Sequence, residues 1–236
     1  MTQELLYLSQ RDVIGLELTM PEIIDTVETA FREKGRGNVE MPPKPGIHTR
    51  ADAFIHAMPA YIKTTGAAGM KWIAGYPENT DRGLPYISGL LILNDPETGL
   101  PLAVIDAAWI TAMRTAAATA VAAKYLCRPD VKSMAILGCG VQGKSNTDAL
   151  MSVLSGLNHI YAYDIRAAAA SVFGQQLREK YNVQCTICTS PEEAVRAADV
   201  IVTAGPILRH PSPVIVLEWI RLRWRPLRLA PSIASS

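Results

Sequence analysis

The chain carries almost no net charge: 23 lysines and arginines against 22 aspartates and glutamates leave +1 with the histidines neutral. That balance gives no basic footprint for nucleic acid and no acidic tail. The opening residues, Thr2-Gln-Glu-Leu-Leu-Tyr-Leu-Ser9, lack a basic segment followed by an apolar run, which argues against a secretory signal. No uninterrupted apolar stretch approaches the length of a membrane span. Cysteine is scarce as well, at Cys127, Cys139, Cys185 and Cys188. The last two form a C-x-x-C, yet a metal site wants a second ligand pair at suitable spacing, and none is visible. A redox pair usually opens a helix, whereas Val183-Gln-Cys-Thr-Ile-Cys188 reads as a strand. Small strand residues in a reducing, cytoplasmic compartment are the expectation. What is present is an ordinary globular composition, 49% hydrophobic and 19% charged over 236 residues. That length suits one large domain or two modest ones, with a sizeable core.

The most informative local pattern is Met134-Ala-Ile-Leu-Gly-Cys-Gly-Val-Gln-Gly143. A short apolar run enters a G-x-G-x-x-G loop made by Gly138, Gly140 and Gly143. A helix-like segment follows, and a second strand-like run, Ile160-Tyr-Ala-Tyr, ends on Asp164. A dinucleotide site needs these parts in this order. The first glycine permits the tight turn, the second lets the backbone approach a pyrophosphate, and the third lets helix and strand pack closely. The helix N-terminus then faces the anion. An acid about twenty residues past the loop accepts hydrogen bonds from the adenosine ribose. Asp164 favours NAD, because a carboxylate repels a 2′-phosphate; Arg166 suits that phosphate, so NADP stays open. A glycine-rich turn without a ligand is the plainer alternative.

Around this loop the chain divides in two. Thr19-Met-Pro-Glu22 is a capping-box pattern, and Ile23, Ile24, Val27, Ala30 and Phe31 recur at helical spacing until Gly35 or Gly37. Met41-Pro-Pro-Lys-Pro-Gly46 reads as a loop. Apolar runs follow at residues 54–58, 67–73 and 87–93. Asn94-Asp-Pro-Glu-Thr-Gly99, between residues 89–93 and 100–105, signals an antiparallel hairpin. Up to Asp106 this predicts an α+β unit with an antiparallel or mixed sheet. An Ala-rich helix over residues 107–127 then leads into alternating elements. Strands are expected at 133–137, 159–163, 183–188 and 200–204, and helices at 142–154, 167–181 and 190–197. The last helix opens on a second capping box, Ser190-Pro-Glu-Glu193. Alternation of this kind argues for a parallel sheet, but only four of its strands are legible, so the doubly wound domain reads as incomplete. After about Glu218 the pattern breaks, and Arg221, Arg223, Arg225 and Arg228 crowd together.

A second constellation precedes the loop. Lys71 sits in the apolar Met70-Lys71-Trp72, and Arg114 in the Ala-rich Ile110-Thr-Ala-Met-Arg114. A cation among small apolar residues needs a reason, since unpaired burial is costly. A substrate carboxylate held by Lys71 and Arg114, with Lys44 nearby, supplies the counter-charge, and arginine suits bidentate binding. Pairing with the protein's own acids, or plain solvent exposure, explains the two cations equally well from composition.

The chain also contains Met41-Pro-Pro-Lys44, His56-Ala-Met-Pro-Ala60, Gly69-Met-Lys-Trp72 and Pro77-Glu-Asn-Thr-Asp-Arg-Gly-Leu-Pro85. With Asn94-Asp-Pro-Glu-Thr-Gly99, Met113-Arg-Thr-Ala-Ala117 and Gly138-Cys-Gly-Val-Gln142, it resembles the ornithine cyclodeaminase and mu-crystallin family. That family includes archaeal-type alanine dehydrogenases and ketimine reductases. The resemblance runs to about Trp219. It implies a homodimer whose subunit has a substrate and dimerisation domain, residues 1–112, then an incomplete Rossmann domain, residues 113–218, and an aberrant tail, 219–236. It implies Lys71, Arg114 and Lys44 as ligands of a substrate carboxylate. The loop residues Gly138, Gly140, Val141, Gln142 and Gly143, with Asp164 and Arg166, become the NAD contacts. The implied activity is hydride chemistry at the α-carbon of an L-amino acid. In a cyclodeaminase the imine is attacked by the side-chain amine, ammonia leaves and hydride returns to give proline; in an alanine dehydrogenase water attacks and pyruvate leaves.

Two departures qualify this. Ornithine cyclodeaminases carry a glutamate where His56 stands, and histidine changes both charge and pKa at a position that handles an ammonium or its protons. His56 joins Lys71 as a candidate catalytic residue, and the swap leaves room for alanine-dehydrogenase or imine-reductase chemistry; a strand histidine with a satisfied ring is the plainer reading. The family's later Rossmann strands, acid/base aspartate and returning helices are not legible. Residues after about Ile220 are expected to be read out of frame or to come from a truncated gene. Such a chain is expected to be poorly soluble or inactive, or a non-catalytic nucleotide-binding protein.

Overall fold

The computed structural model describes residues 4–205; residues 210–219, the crowded arginines and the tail lie outside the described residues. A short strand, β1 (Leu6–Leu8), precedes two helices, α1 (Gln10–Ile14) and α2 (Met20–Gly35). Thr19 caps α2 as its pattern predicts. Its hydroxyl accepts from the Glu22 N–H, and the Glu22 carboxylate accepts from the Thr19 N–H at 2.8 Å.

The buried stripe of α2 differs from the expected one. Phe31 is 51% exposed, while Glu28 and Glu33 are each only 5% exposed. Glu28 lies four residues past Ile24, on the same helical face. There Lys124, Tyr125 and Arg32 all donate to its carboxylate, which holds its pKa down at about 2. Glu33 accepts from Arg36 and Asn38, both at 2.7 Å. Periodicity marks a stripe but not its chemistry, and a fully bonded carboxylate can occupy it.

Seven strands form a mixed sheet. They are β1, β2 (Val39–Glu40), β3 (Gly46–Arg50), β4 (Ala53–Ile62), β5 (Ala67–Gly75), β6 (Ile87–Asn94) and β7 (Pro101–Asp106). Their order is β1-β7-β6-β5-β4-β2, with β3 also pairing on β4. Only the β1–β7 pair is parallel. The β6–β7 turn is the hairpin expected at residues 94–99, closed by the Asp95 N–H donating to the Leu100 carbonyl at 2.9 Å. Strand β3 gave no sequence signal, because all five of its residues are exposed and no alternation marks them.

Residues directly opposite across an antiparallel pair share a face. Met58, Lys71, Leu91 and Ile105 are therefore on one side of the sheet. Ala57, Trp72 and Leu90 are on the other, where Trp72 is 42% and Leu90 38% exposed. Tyr7 and Ile47 add exposed apolar surface to that outer face.

The Ala-rich segment forms α3 (Ala108–Leu126). Its fully buried Ala116, Ala117 and Ala120 pack with Met20 and Ile24 of α2 and with Ala149 of α4 (Val141–Val153). Small side chains at the contact let helix axes approach closely. Beyond α3 lies a wholly parallel sheet, ordered β10-β9-β8-β11. It comprises β8 (Ser133–Leu137), β9 (His159–Tyr163), β10 (Gln184–Ile187) and β11 (Val200–Thr203). Leu150 of α4 and Phe173 and Leu177 of α5 (Ala167–Tyr181) cover one face against Met134, Ile136 and Ile160. Ala194 and Val195 of α6 (Pro191–Ala197) cover the other against Ala135 and Leu137. The fold is thus α/β, a mixed α+β portion followed by a Rossmann-like sheet with helices on both faces, as expected.

One smaller expectation resolves differently. Ser190 caps α6 by accepting from the Glu193 N–H at 3.1 Å, but the Glu193 carboxylate turns to the Thr189 N–H and hydroxyl, so the box is only half formed. Cys185 and Cys188 carry free thiols, and burial raises the pKa of both, Cys188 to about 11. Neither thiol is activated.

Candidate functional site

Strand β8 delivers the chain into the glycine loop. A Cβ on Gly143 would lie 2.1 Å from the Gly138 carbonyl oxygen, so only glycine lets α4 pack against the loop in this way. Gly138 itself has φ +106° and abuts the Ala204 backbone. Gly140, the N-cap of α4, differs from both: nothing lies within 4 Å of where its Cβ would be. The first N–H groups of a helix have no partner inside it. At α4 they begin beside that open space, with Val141, the first helical residue, 69% exposed. Gln142 is turned along the helix, its carbonyl and amide oxygens both accepting from Asn146.

Asp164, just past β9, closes the loop from the side. One carboxylate oxygen accepts from the Cys139 N–H at 2.8 Å and the other from the Arg166 N–H at 2.9 Å. The Arg166 guanidinium stands 3.6 Å from the same carboxylate and is otherwise in solvent. Burial, reinforced by Asp164, pushes the Cys139 thiol up to about 12, which leaves it protonated and unreactive. The space by Gly140, a helix N-terminus and a positioned carboxylate fit a dinucleotide's pyrophosphate and ribose.

The cations predicted from sequence come together on the inner face of the mixed sheet. Lys71, on β5, donates to the Thr111 hydroxyl of α3 at 3.3 Å. Burial lowers the Lys71 pKa to about 8, and Arg114 and then Lys44 add to the effect. Arg114 lies three residues past Thr111, on the same side of α3. Arg114 is exposed, so solvent reaches it as one of the plainer readings expects, although partial burial lowers its pKa. Lys44 is exposed on the loop between β2 and β3. Every ion pair among the described residues lies elsewhere. Pairing of Lys71 or Arg114 with an acid of the protein is therefore not found among the described residues.

His56, on β4, stands opposite Ile73 and so shares the face of Lys71. Its ring stacks on Phe54 at 4.3 Å and meets His48 edge-on at 6.1 Å. A Cβ on Gly46 would come within 2.2 Å of that ring, so β3 passes over His56 only because it carries glycine there. Burial lowers the His56 pKa, with smaller contributions from Lys44 and His48. The half-buried ring makes these contacts and has no hydrogen-bond partner among the described residues.

Thr111, His48, Phe54 and Gly46 were not anticipated. Thr111 was within reach, since it precedes Arg114 by one helical turn. Phe54 was within reach too, two residues before His56 on the same strand, whereas Gly46 and His48 depend on the β3–β4 pairing, which the sequence did not reveal. Helix α3 joins the two regions. Its first turns carry Thr111 and Arg114 to the mixed sheet, and its middle packs on α4, whose N-terminus borders the glycine loop. From Thr111 to Ala120 is about 14 Å of rigid helix.

A cation-lined recess beside a glycine-loop parallel sheet defines a class, that of two-part α/β proteins built around a dinucleotide loop. Residues 4–222 match the ornithine cyclodeaminase/mu-crystallin family, and the chain belongs to it. It is 43% identical over 198 residues to nodulation efficiency protein NfeD of Rhizobium meliloti, across 84% of this chain and 61% of that protein. Its fold matches an archaeal alanine dehydrogenase dimer with bound NAD at a TM-score of 0.84 and 39% identity, covering 92% of this chain and 65% of that one. It also matches Thermococcus litoralis Delta(1)-pyrroline-2-carboxylate reductase, solved with NADH and L-proline. There the TM-score is 0.80 with 37% identity, over 84% and 61% of the two chains. The chain spans less than two-thirds of the length of each of these relatives.

Proposed function

We propose that this chain is the substrate- and NAD-binding part of an enzyme acting at the α-carbon of an L-amino acid or its imine. One observation carries the reading: Lys71 of β5 meets the Thr111–Arg114 turn of α3, unpaired with any described acid, and α3 packs against the glycine-loop helix. When bound, NAD+ supplies a hydride acceptor, so that the amino acid becomes an imino acid and the cofactor NADH. Arg114 and Lys71, with Lys44 as a third cation, grip the substrate carboxylate and fix the α-carbon in place. The open space at Gly140, with Val141, Gln142 and the α4 N-terminus, takes the pyrophosphate, while Gly138 and Gly143 hold the loop. Asp164 accepts from the adenosine ribose and disfavours a 2′-phosphate, with Arg166 at its edge.

Lys71 and His56 are the proton-handling groups. A lysine brought down to about 8 exchanges a proton near neutral pH, and a neutral imidazole at His56 can take one from a substrate nitrogen. We propose a division near residue 112, inside α3, between a substrate part and a dinucleotide part. The outer sheet face around Trp72 and Leu90 suits a cytoplasmic homodimer, since exposed apolar patches of this kind mark interfaces. A monomer in sedimentation at micromolar concentration would rule that out.

The reaction is tested by incubating the protein with NAD+ and, in parallel, L-ornithine or L-alanine. Proline without net NADH identifies a cyclodeaminase, and NADH with pyruvate a dehydrogenase. Failure to bind both NAD+ and a simple carboxylate sinks the reading.

A further inference from the structure

Six threonines stand inside α-helices among the described residues, and five of them behave alike. The hydroxyls of Thr26, Thr29, Thr115, Thr119 and Thr147 each donate to the carbonyl four residues back, at 2.6–3.4 Å. That bond is the common local partner of a helical threonine. Thr111 departs from it. The Ala107 carbonyl is in place to receive its hydroxyl, since it accepts the Thr111 N–H at 2.9 Å. Instead the hydroxyl turns across to β5 and accepts from the Lys71 Nζ at 3.3 Å, its one side-chain hydrogen bond among the described residues. A hydroxyl has one proton to give and two lone pairs to receive with. With Lys71 donating to a lone pair, the Thr111 proton is left to give. It sits half-buried beside the ammonium and one helical turn before Arg114. An ionised carboxylate only accepts, so each group that touches it must donate.

We propose that Thr111 is a direct ligand of the substrate carboxylate, giving its hydroxyl proton to an oxygen held between Lys71 and Arg114 while it accepts from Lys71. This rests on the carboxylate-binding reading of Lys71 and Arg114 above. The hydroxyl also fixes the direction of the Lys71 ammonium before substrate arrives, so that flexible side chain loses less freedom on binding. A threonine folded back on Ala107 would do neither.

The test titrates variants with propionate in the presence of NAD+, following the propionate methyl signal by NMR. Thr111→Val keeps the branched shape and removes the hydroxyl. It is expected to weaken propionate binding about tenfold, the effect of one hydrogen bond to a charged group, with NAD+ affinity within about twofold of the parent's. Thr111→Ser keeps the hydroxyl and should hold propionate affinity to within about threefold of the parent's. Thr111→Ala, a second variant without the hydroxyl, should lose at least as much as Thr111→Val. The thermal midpoint of ligand-free Thr111→Val should fall by no more than about 4 °C, since one half-buried bond is lost. Unchanged propionate affinity in Thr111→Val overturns the proposal while the carboxylate site stands. An equal loss in Thr111→Ser also overturns it, because the methyl group and not the hydroxyl would then matter. Equal loss of NAD+ affinity does the same, marking a structural role. If propionate fails to bind the parent protein, the carboxylate-binding reading falls as well.

Discussion

Strand β8 of the parallel sheet is buried at all five positions, whereas β4 and β5 of the mixed sheet are half-buried along most of their length. The two regions build their candidate sites in correspondingly different ways. In the parallel sheet, helices cover both faces and one short continuous stretch makes the glycine loop. Its geometry is set by contacts between near neighbours, such as Gly143 against Gly138. In the mixed sheet one face carries exposed apolar side chains among the described residues, and the recess on the other is assembled from segments around residues 44, 56, 71 and 114. A loop of the first kind survives as a local sequence pattern. A recess of the second kind exists only when the strands are in register.

That contrast can be broken most sharply at the cations. Lys71→Met or Arg114→Ala is expected to weaken carboxylate binding by about 2–3 kcal/mol, roughly a hundredfold, while NAD+ affinity is largely retained. Calorimetry with each ligand separately reads both effects. Equal loss for the two ligands would mean that the regions are one site and not two.

A glycine pair sharpens the other side. Gly140→Ala places a methyl group in open space, so the thermal midpoint should stay close to that of the parent while NAD+ affinity falls about tenfold or more. Gly143→Ala should instead lower the midpoint itself, because its Cβ collides with a backbone oxygen. Matching behaviour of the two variants would contradict the distinction between a packing glycine and a ligand-approach glycine.

The smallest effect is the pH dependence. Carboxylate binding needs the Lys71 ammonium, which burial and Arg114 hold to a pKa of about 8. Affinity is expected to fall as pH rises through that value, by at most about tenfold per unit. The ligand-free protein should behave oppositely. Between about 8 and the ordinary lysine value the unfolded chain still binds a proton that the folded one has released, so Lys71 contributes less destabilisation as pH rises. Lys71→Met should remove both slopes, which denaturation and titration series across that range would reveal.

Much of this molecule was legible before folding. The limits of β8, β9 and α5 follow directly from apolar runs and helical spacing, because elements buried on a fixed face must repeat with a fixed period. The Thr19 cap was equally plain. Phe31 and Glu28 were misplaced, since periodicity locates a stripe while partners on another helix decide whether a charge can occupy it. Strand β3 was missed because nothing in a fully exposed strand distinguishes it from loop.

The sequence by itself determined the dinucleotide loop, its acid and the presence of two unexplained cations, since each depends on residue type at short range. Only the tertiary structure decided that the cations face one another without a described acid between them. It also decided that Gly46 and Phe54 frame His56, and that α3 ties the recess to the loop. The reason is physical: electrostatic and packing energies depend on distance in space, and residues 44, 56, 71 and 114 become neighbours only through strand pairing and helix docking.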